Sequence, residues 1–81
     1  MFYVYVLYSI SNDSYYVGET SDIEDRLFRH NNSGSKSTKK AKDWRVVYTE
    51  CFETRSESVR REREIKAKKS RKYLEYLIGK G

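Results

Sequence analysis

The sequence predicts an α+β fold: a small three-stranded antiparallel sheet flanked by helices, in the order β-β-α-β-α-α. Three observations carry that expectation. Residues 2–10 (Phe2-Tyr3-Val4-Tyr5-Val6-Leu7-Tyr8-Ser9-Ile10) and 15–20 (Tyr15-Tyr16-Val17-Gly18-Glu19-Thr20) are β-branched and aromatic runs separated by the polar turn Ser11-Asn12-Asp13-Ser14, the composition of a hairpin. Ser21-Asp22-Ile23-Glu24 and Thr54-Arg55-Ser56-Glu57 read as capping boxes, in which a hydroxyl and a glutamate three residues later satisfy the free N–H groups of a helix start. The first run is apolar on both faces, which places it centrally in the sheet with cover on each side.

Folding the hairpin about Asn12-Asp13 pairs residues whose numbers sum to 25, so that Ser9 opposes Tyr16 and Tyr5 opposes Thr20. Strand side chains alternate faces with period two. Tyr5, Leu7 and Ser9 then share a face with Tyr16, Gly18 and Thr20, and two phenols converge beside a glycine. The first helix runs from its Ser21 cap to about His30, with Ile23, Leu27 and His30 inward, and Asn31-Asn32-Ser33-Gly34-Ser35 breaks it. Residues 36–43 form a basic loop or short helix. Trp44 to Phe52 is the third strand, with Trp44, Val46, Tyr48 and Phe52 on one face and Glu50 interrupting them. A second helix spans about Arg55 to Lys68. Ser70 caps a last short helix that turns Leu74, Leu77 and Ile78 inward and ends at Gly79.

A chain of 81 residues makes one domain, 1–81, burying only ~60–65% of its extended surface. That size leaves no room for a deeply buried cofactor, but a site on one sheet face fits. The one cysteine, Cys51, excludes an internal disulfide and suits a reducing compartment. Its place in an apolar strand predicts a buried packing thiol. No run approaches the ~20 apolar residues of a membrane span, and the N-terminus begins inside a strand without signal-peptide features. The expected location is cytoplasmic, with no membrane partner. The net charge of +5 is uneven: residues 1–53 carry seven basic and eight acidic side chains, residues 54–81 ten basic and four acidic. A basic half points to a polyanion, most often nucleic acid.

Two helices carry polar residues where apolar ones belong. The second has only Val59, Ile65 and Ala67 as apolar residues, and Glu62 lies within about 60° of both Val59 and Ile65. A carboxylate on that stripe needs a cation, either a neighbouring arginine or a metal. On the first helix, Arg26 borders the inward stripe, and His30 follows it by four residues on the same face.

The ordered set Tyr5, Tyr16, Gly18, Arg26, His30 and Glu62 resembles the GIY-YIG nuclease family nearly end to end. Tyr3-Val4-Tyr5 occupies the first motif, with Tyr3 and Val4 replacing Gly-Ile. Tyr16-Val17-Gly18 stands for the second, with Val17 replacing Ile. Arg26 falls ten residues after Tyr16, as the family's arginine does. His30-Asn31 matches a helix-end pair of small members, and Arg60-Arg61-Glu62-Arg63-Glu64-Ile65-Lys66 matches the segment bearing the metal-binding glutamate. The pattern is most similar to short stand-alone members, to the N-terminal nuclease domain of the bacterial excision-repair nuclease and to structure-specific resolvase nuclease domains. Two departures stand out: Glu19 sits where some relatives place a lysine, which removes a positive charge near the site, and a late asparagine of larger relatives is absent around Tyr73-Leu74-Glu75.

The resemblance implies hydrolysis of DNA phosphodiester bonds, with RNA also open, structure-selective and serving repair or recombination, with a single Mg²⁺ or Mn²⁺ on Glu62. It implies catalytic roles for Tyr5, Tyr16, Arg26, His30 and Glu62: Arg26 neutralising transition-state charge, one tyrosine taking the water's proton with Tyr5 preferred and His30 assisting, and Tyr16 orienting water or phosphate. Gly18 lets phosphate approach or serves packing. Lys36, Lys39, Lys40, Lys42 and Lys66 would contact the DNA backbone. With no zinc finger or recognition helix in the sequence, targeting falls to DNA structure or to a protein partner. The other readings are a non-catalytic nucleic-acid-binding module on the same fold and a generic basic structural protein.

Overall fold

A computed structural model describes residues 1–32, 38–39 and 41–80. Its elements are β1 (Phe2–Ser9), β2 (Ser14–Thr20), α1 (Ile23–Asn32), β3 (Arg45–Phe52), α2 (Arg55–Ala67) and α3 (Arg71–Lys80). The sheet order is β2-β1-β3, antiparallel throughout. This is the expected α+β arrangement, with the doubly apolar β1 at the centre. Val4, Val6 and Val17 pack on one face with Ile65 of α2 and Leu77 of α3. On the other face Tyr5 and Leu7 pack with Trp44, Ala41 and Leu27. No helix among the described residues is long and apolar enough to cross a membrane.

The hairpin register differs from the expected one. Tyr5 opposes Gly18, Leu7 opposes Tyr16 and Ser9 opposes Ser14, so the pairs sum to 23. The chain reverses around Ser11-Asn12, because β1 ends at Ser9 and Asp13 takes a left-handed φ of 48°, with its N–H donating to the Ile10 carbonyl at 3.3 Å. Asparagine and aspartate tolerate this region better than most residues. A shift of two residues preserves strand parity, so the two phenols still share a face.

The third strand does not present one apolar face. Val6 pairs with Tyr48 but Leu7 pairs with Val46, and the skipped Val47 forms a β-bulge. The bulge inverts the alternation. Tyr48 and Phe52 pack beneath α2 and α3, while Trp44 and Val46 pack with Tyr5 and Leu7 on the opposite face. Cys51 is exposed, contrary to expectation. It pairs with Tyr3 on the Tyr5 face, and the cover there (Trp44, Ala41 and Leu27) sits over Tyr5 and Leu7 instead.

Helix ends largely follow their signals. Thr54 caps α2, its hydroxyl accepting from Glu57 N–H at 3.2 Å and donating to Glu57 Oε1 at 2.9 Å. Ser70 accepts from Tyr73 N–H at 3.1 Å at the head of α3, and that helix continues through Gly79 to Lys80. At α1 the cap is Asp22, not Ser21. Asp22 Oδ1 accepts from Asp25 N–H at 3.0 Å, while the Thr20 hydroxyl takes Asp22 N–H at 3.1 Å and delays the helix by one residue.

Candidate active site

Tyr5 forms the floor. Its side chain is 1% exposed, and its hydroxyl lies 3.0 Å from His30 Nε2 at the end of α1. Gly18 stands directly opposite on β2. A Cβ built there would overlap the Tyr5 hydroxyl oxygen and fall 2.5 Å from Cζ, well inside van der Waals contact. The missing side chain at Gly18 is therefore space already filled by the phenol.

His30 is buried and held at both nitrogens, with Nδ1 2.9 Å from Thr38 Oγ1. The Tyr5 hydroxyl finds no other hydrogen-bond partner than His30 among the described residues. When the phenol donates to Nε2, the imidazole proton sits on Nδ1 and is donated to Thr38. Thr38 is fixed in turn: its carbonyl accepts from Trp44 Nε1 at 2.8 Å. Asn31 clamps the Trp44 backbone, accepting from its N–H at 2.8 Å and donating to its carbonyl at 2.9 Å. The His30-Asn31 pair thus has two tasks, one facing the phenol and one anchoring the loop that carries Thr38.

Charge reinforces the neutral state of this pair. Burial, and secondarily the Arg26 charge, lowers the His30 pKa below 6.5. Burial first, then Tyr16, Glu62 and Glu19, pushes the Tyr5 phenol well above its usual value, with Arg26 opposing. Tyr5 by itself is harder to ionise than a free phenol.

The other predicted residues gather around this floor. The Tyr16 ring lies 6.3 Å from the Tyr5 ring and 4.8 Å from the His30 ring, centroid to centroid. Glu62 shares the inward stripe of α2 with buried Ser58 and Ile65, and its side chain is 20% exposed. Its cation is Lys66, at 3.0 Å one helical turn on, rather than an arginine. The Lys66 ammonium also lies 5.7 Å from the Tyr16 ring centroid, which ties Glu62 to the tyrosine face. Arg26 is exposed, and no carboxylate pairs with it among the described residues. Lys39 and Lys42 are exposed on the loop before β3; Lys36 and Lys40 lie outside the described residues.

Glu19 belongs elsewhere. It pairs with Val4 on the face opposite Tyr5, binds Arg55 Nη1 through both oxygens at 3.0 and 2.9 Å, and accepts from the Ser58 hydroxyl at 3.3 Å. It fastens the first turns of α2 to β2, and from there its charge still adds to the rise of the Tyr5 pKa. Two residues escaped sequence reasoning. Thr38 sits in a loop eight positions past His30 with no local signal. Asp43 accepts from the Ser9 hydroxyl at 2.6 Å and from Ser11 N–H and hydroxyl at 2.9 Å each. These bonds lower its carboxyl pKa to about 2 and pin the same loop to the hairpin turn.

Among the described residues no three His, Cys, Asp or Glu side chains converge as a metal cage. Glu62 alone offers a hard oxygen, partly exposed and beside the phenols. That donor suits a divalent ion that keeps several waters and shares substrate phosphate oxygens.

Known proteins resemble this chain over most of its length. The GIY-YIG catalytic domain model matches residues 1–74. A UPF0213 protein of Staphylococcus saprophyticus is 41% identical over 98% of this chain and 95% of its own. A UPF0213 protein of Haloquadratum walsbyi is 42% identical over 80% of this chain and 73% of its own. The solution NMR structure of a UPF0213 protein from Bacillus halodurans superimposes with a TM-score of 0.60 at 34% identity, covering 98% of this chain and 84% of that one. The match extends from the first strand into α3, and the chain belongs to the GIY-YIG nuclease family, with the small UPF0213 proteins as its relatives.

Proposed function

We propose that this protein is a metal-dependent endonuclease that hydrolyses DNA phosphodiester bonds, selecting substrates by structure in repair or recombination. The observation that carries the reading is the buried Tyr5–His30 hydrogen bond, set beside Tyr16, Glu62 and the exposed Arg26. Pure nucleic-acid binding needs no phenol wired to a neutral histidine.

In this reading Tyr5 accepts a proton from the attacking water as its own proton passes to His30 Nε2, so no free phenolate has to form in a buried site. His30 then carries protons on both nitrogens, and Thr38 Oγ1 still accepts from Nδ1. General-base assistance of this kind contributes about 10²–10⁴-fold. Arg26, exposed and with no carboxylate partner among the described residues, offsets the charge that builds on the phosphoryl oxygens. Tyr16 orients water or phosphate at the rim. Glu62, freed from Lys66, would hold Mg²⁺ or Mn²⁺, whose chemistry is to polarise the phosphoryl oxygen and stabilise the leaving 3′ oxygen. Lys39, Lys42 and Lys66, with Lys36 and Lys40, would supply salt-sensitive backbone contacts.

The test is one panel of plasmid, replication fork, four-way junction, single strand and RNA, each with Mg²⁺, Mn²⁺ or EDTA. The reading expects nicking of branched DNA with metal, lost in EDTA and in Arg26→Ala. Salt-sensitive binding without cleavage under every condition would support the binding-module alternative instead.

A further inference from the structure

The candidate site occupies the Tyr5 face, and a cleft opens across the β2 edge, on the opposite face, between the start of β2, the end of α2 and the start of α3. Its volume is about 380 Å³, in the range of small-ligand sites, about 300–1,000 Å³. Val17, Ile65 and Leu74 supply an apolar floor, and Lys66, Lys69 and Arg71 a rim of three cations that also holds the Asp13 carboxylate, paired with Arg71. We infer that this cleft binds one unpaired nucleotide of the DNA strand being cut, its base on the apolar floor and its phosphate on the basic rim. This rests on the nuclease reading above and names what that site selects.

Three observations lead there. An apolar floor beneath three cations fits neither a simple anion nor an apolar ligand; it fits a flat base attached to a phosphate. Lys66 belongs to both places: it lines the cleft, pairs with Glu62 at 3.0 Å and lies over the Tyr16 ring. A strand with its scissile phosphate at Glu62 would turn around the β2 edge past Lys66 to enter the cleft. Lys69 supplies a cation without a carboxylate partner among the described residues, whereas Arg71 is shared by Asp13 and Glu75. Lys69 also holds a φ of 47°, where glycine is the usual occupant, so a charged side chain stands where the backbone favours none.

A paired base keeps both faces stacked inside the duplex and cannot reach the floor. The cleft thus favours single-stranded, flapped or forked DNA over a blunt duplex.

Fluorescence anisotropy in EDTA measures this without cleavage, using a labelled single strand, a blunt duplex of the same sequence and an abasic strand, with wild type and Lys69→Gly. Glycine suits the left-handed backbone, so Lys69→Gly should melt no lower than wild type. Wild type should bind the single strand at least about 10-fold tighter than the duplex. Lys69→Gly should lose about 5–10-fold on the single strand, the scale of one phosphate contact, and little on the duplex. The abasic strand should lose affinity with wild type. Equal binding of strand and duplex, an equal loss on both in Lys69→Gly, or displacement by free mononucleotide as readily as by the strand would overturn the inference. If wild type nicks branched DNA while Lys69→Gly changes nothing, the cleft assignment alone fails; if wild type neither binds nor cuts DNA, the nuclease reading fails with it.

Discussion

The Tyr5 hydroxyl and His30 Nε2 stand 3.0 Å apart, and 25 residues of chain separate them. Neither is a free titrating group. Burial disfavours ionisation of the phenol and protonation of the imidazole alike, so the pair rests neutral, and a proton can move along it with little charge left stranded. A solitary buried tyrosine could not serve as a base near neutral pH. In the mechanism we propose, one joined to a neutral histidine held by Thr38 can.

Gly18 is the tightest constraint on this geometry. In Gly18→Ala the new methyl meets the phenol ring at 2.5 Å from Cζ, so Tyr5 must shift from its present place against His30. Overpacking of this kind costs about 1–3 kcal/mol. Chemical denaturation should register that loss, and DNA nicking should fall more steeply than stability alone explains.

Thr38→Val keeps the side-chain shape but removes the acceptor for His30 Nδ1–H. An unsatisfied buried donor costs about 1–3 kcal/mol. The tautomer preference should weaken, with nicking falling roughly 10-fold or more. Imidazole ¹⁵N shifts read the tautomer directly: the Nδ1–H form should dominate in wild type and become mixed in the variant. An unchanged tautomer would show that Thr38 does not set it.

Stability should fall on the acid side in two steps. The folded-state pKa of His30 lies below 6.5, so beneath about pH 6.5 the unfolded chain binds a proton that the folded chain refuses. Stability is full above that value and declines as pH falls through the folded pKa. Asp43, lowered from 3.8 to about 2, adds a further loss over that lower window, because its depressed carboxyl stabilises only while ionised. Urea denaturation across pH should show both limbs, with His30→Gln flattening the upper one and leaving the lower intact.

Glu62 should separate chemistry from folding. Its partner Lys66 is 50% exposed, and ion pairs of this kind contribute only about 0–1 kcal/mol. Glu62→Gln should keep the wild-type melting temperature within a few degrees while nicking with Mg²⁺ or Mn²⁺ drops at least about 100-fold. A large loss of stability would place Glu62 in the scaffold instead.

Much of this is legible in the sequence because the decisive signals are local or survive small errors. The expected hairpin register is off by two residues, yet an even shift leaves every side chain on its predicted face, so Tyr5 and Tyr16 still fall together. Thr54 and Ser70 announce their helices through hydroxyls that have nowhere better to bond. The bulge at Val47 is not legible, since the consecutive apolar Val46-Val47-Tyr48 also suits an unbroken strand covered on both faces. Only pairing with Leu7 reveals the skipped residue. Thr38 and Asp43 are hidden for a related reason: their partners, His30, Ser9 and Ser11, lie 8 to 34 positions away. Glu19's bonds to Arg55 and Ser58 are hidden in the same way, 36 and 39 positions away.

The most direct test of the Tyr5–His30 couple is the single-turnover nicking rate of a forked DNA with Mg²⁺ or Mn²⁺, for wild type, Tyr5→Phe and His30→Gln. Phenylalanine fits the same buried volume and removes only the hydroxyl. Metal-dependent nicking by wild type, reduced about 100-fold or more in each variant with the fold intact, is the predicted result. Wild-type rates in Tyr5→Phe, or rates unchanged in His30→Gln, would contradict the couple as the carrier of the proton.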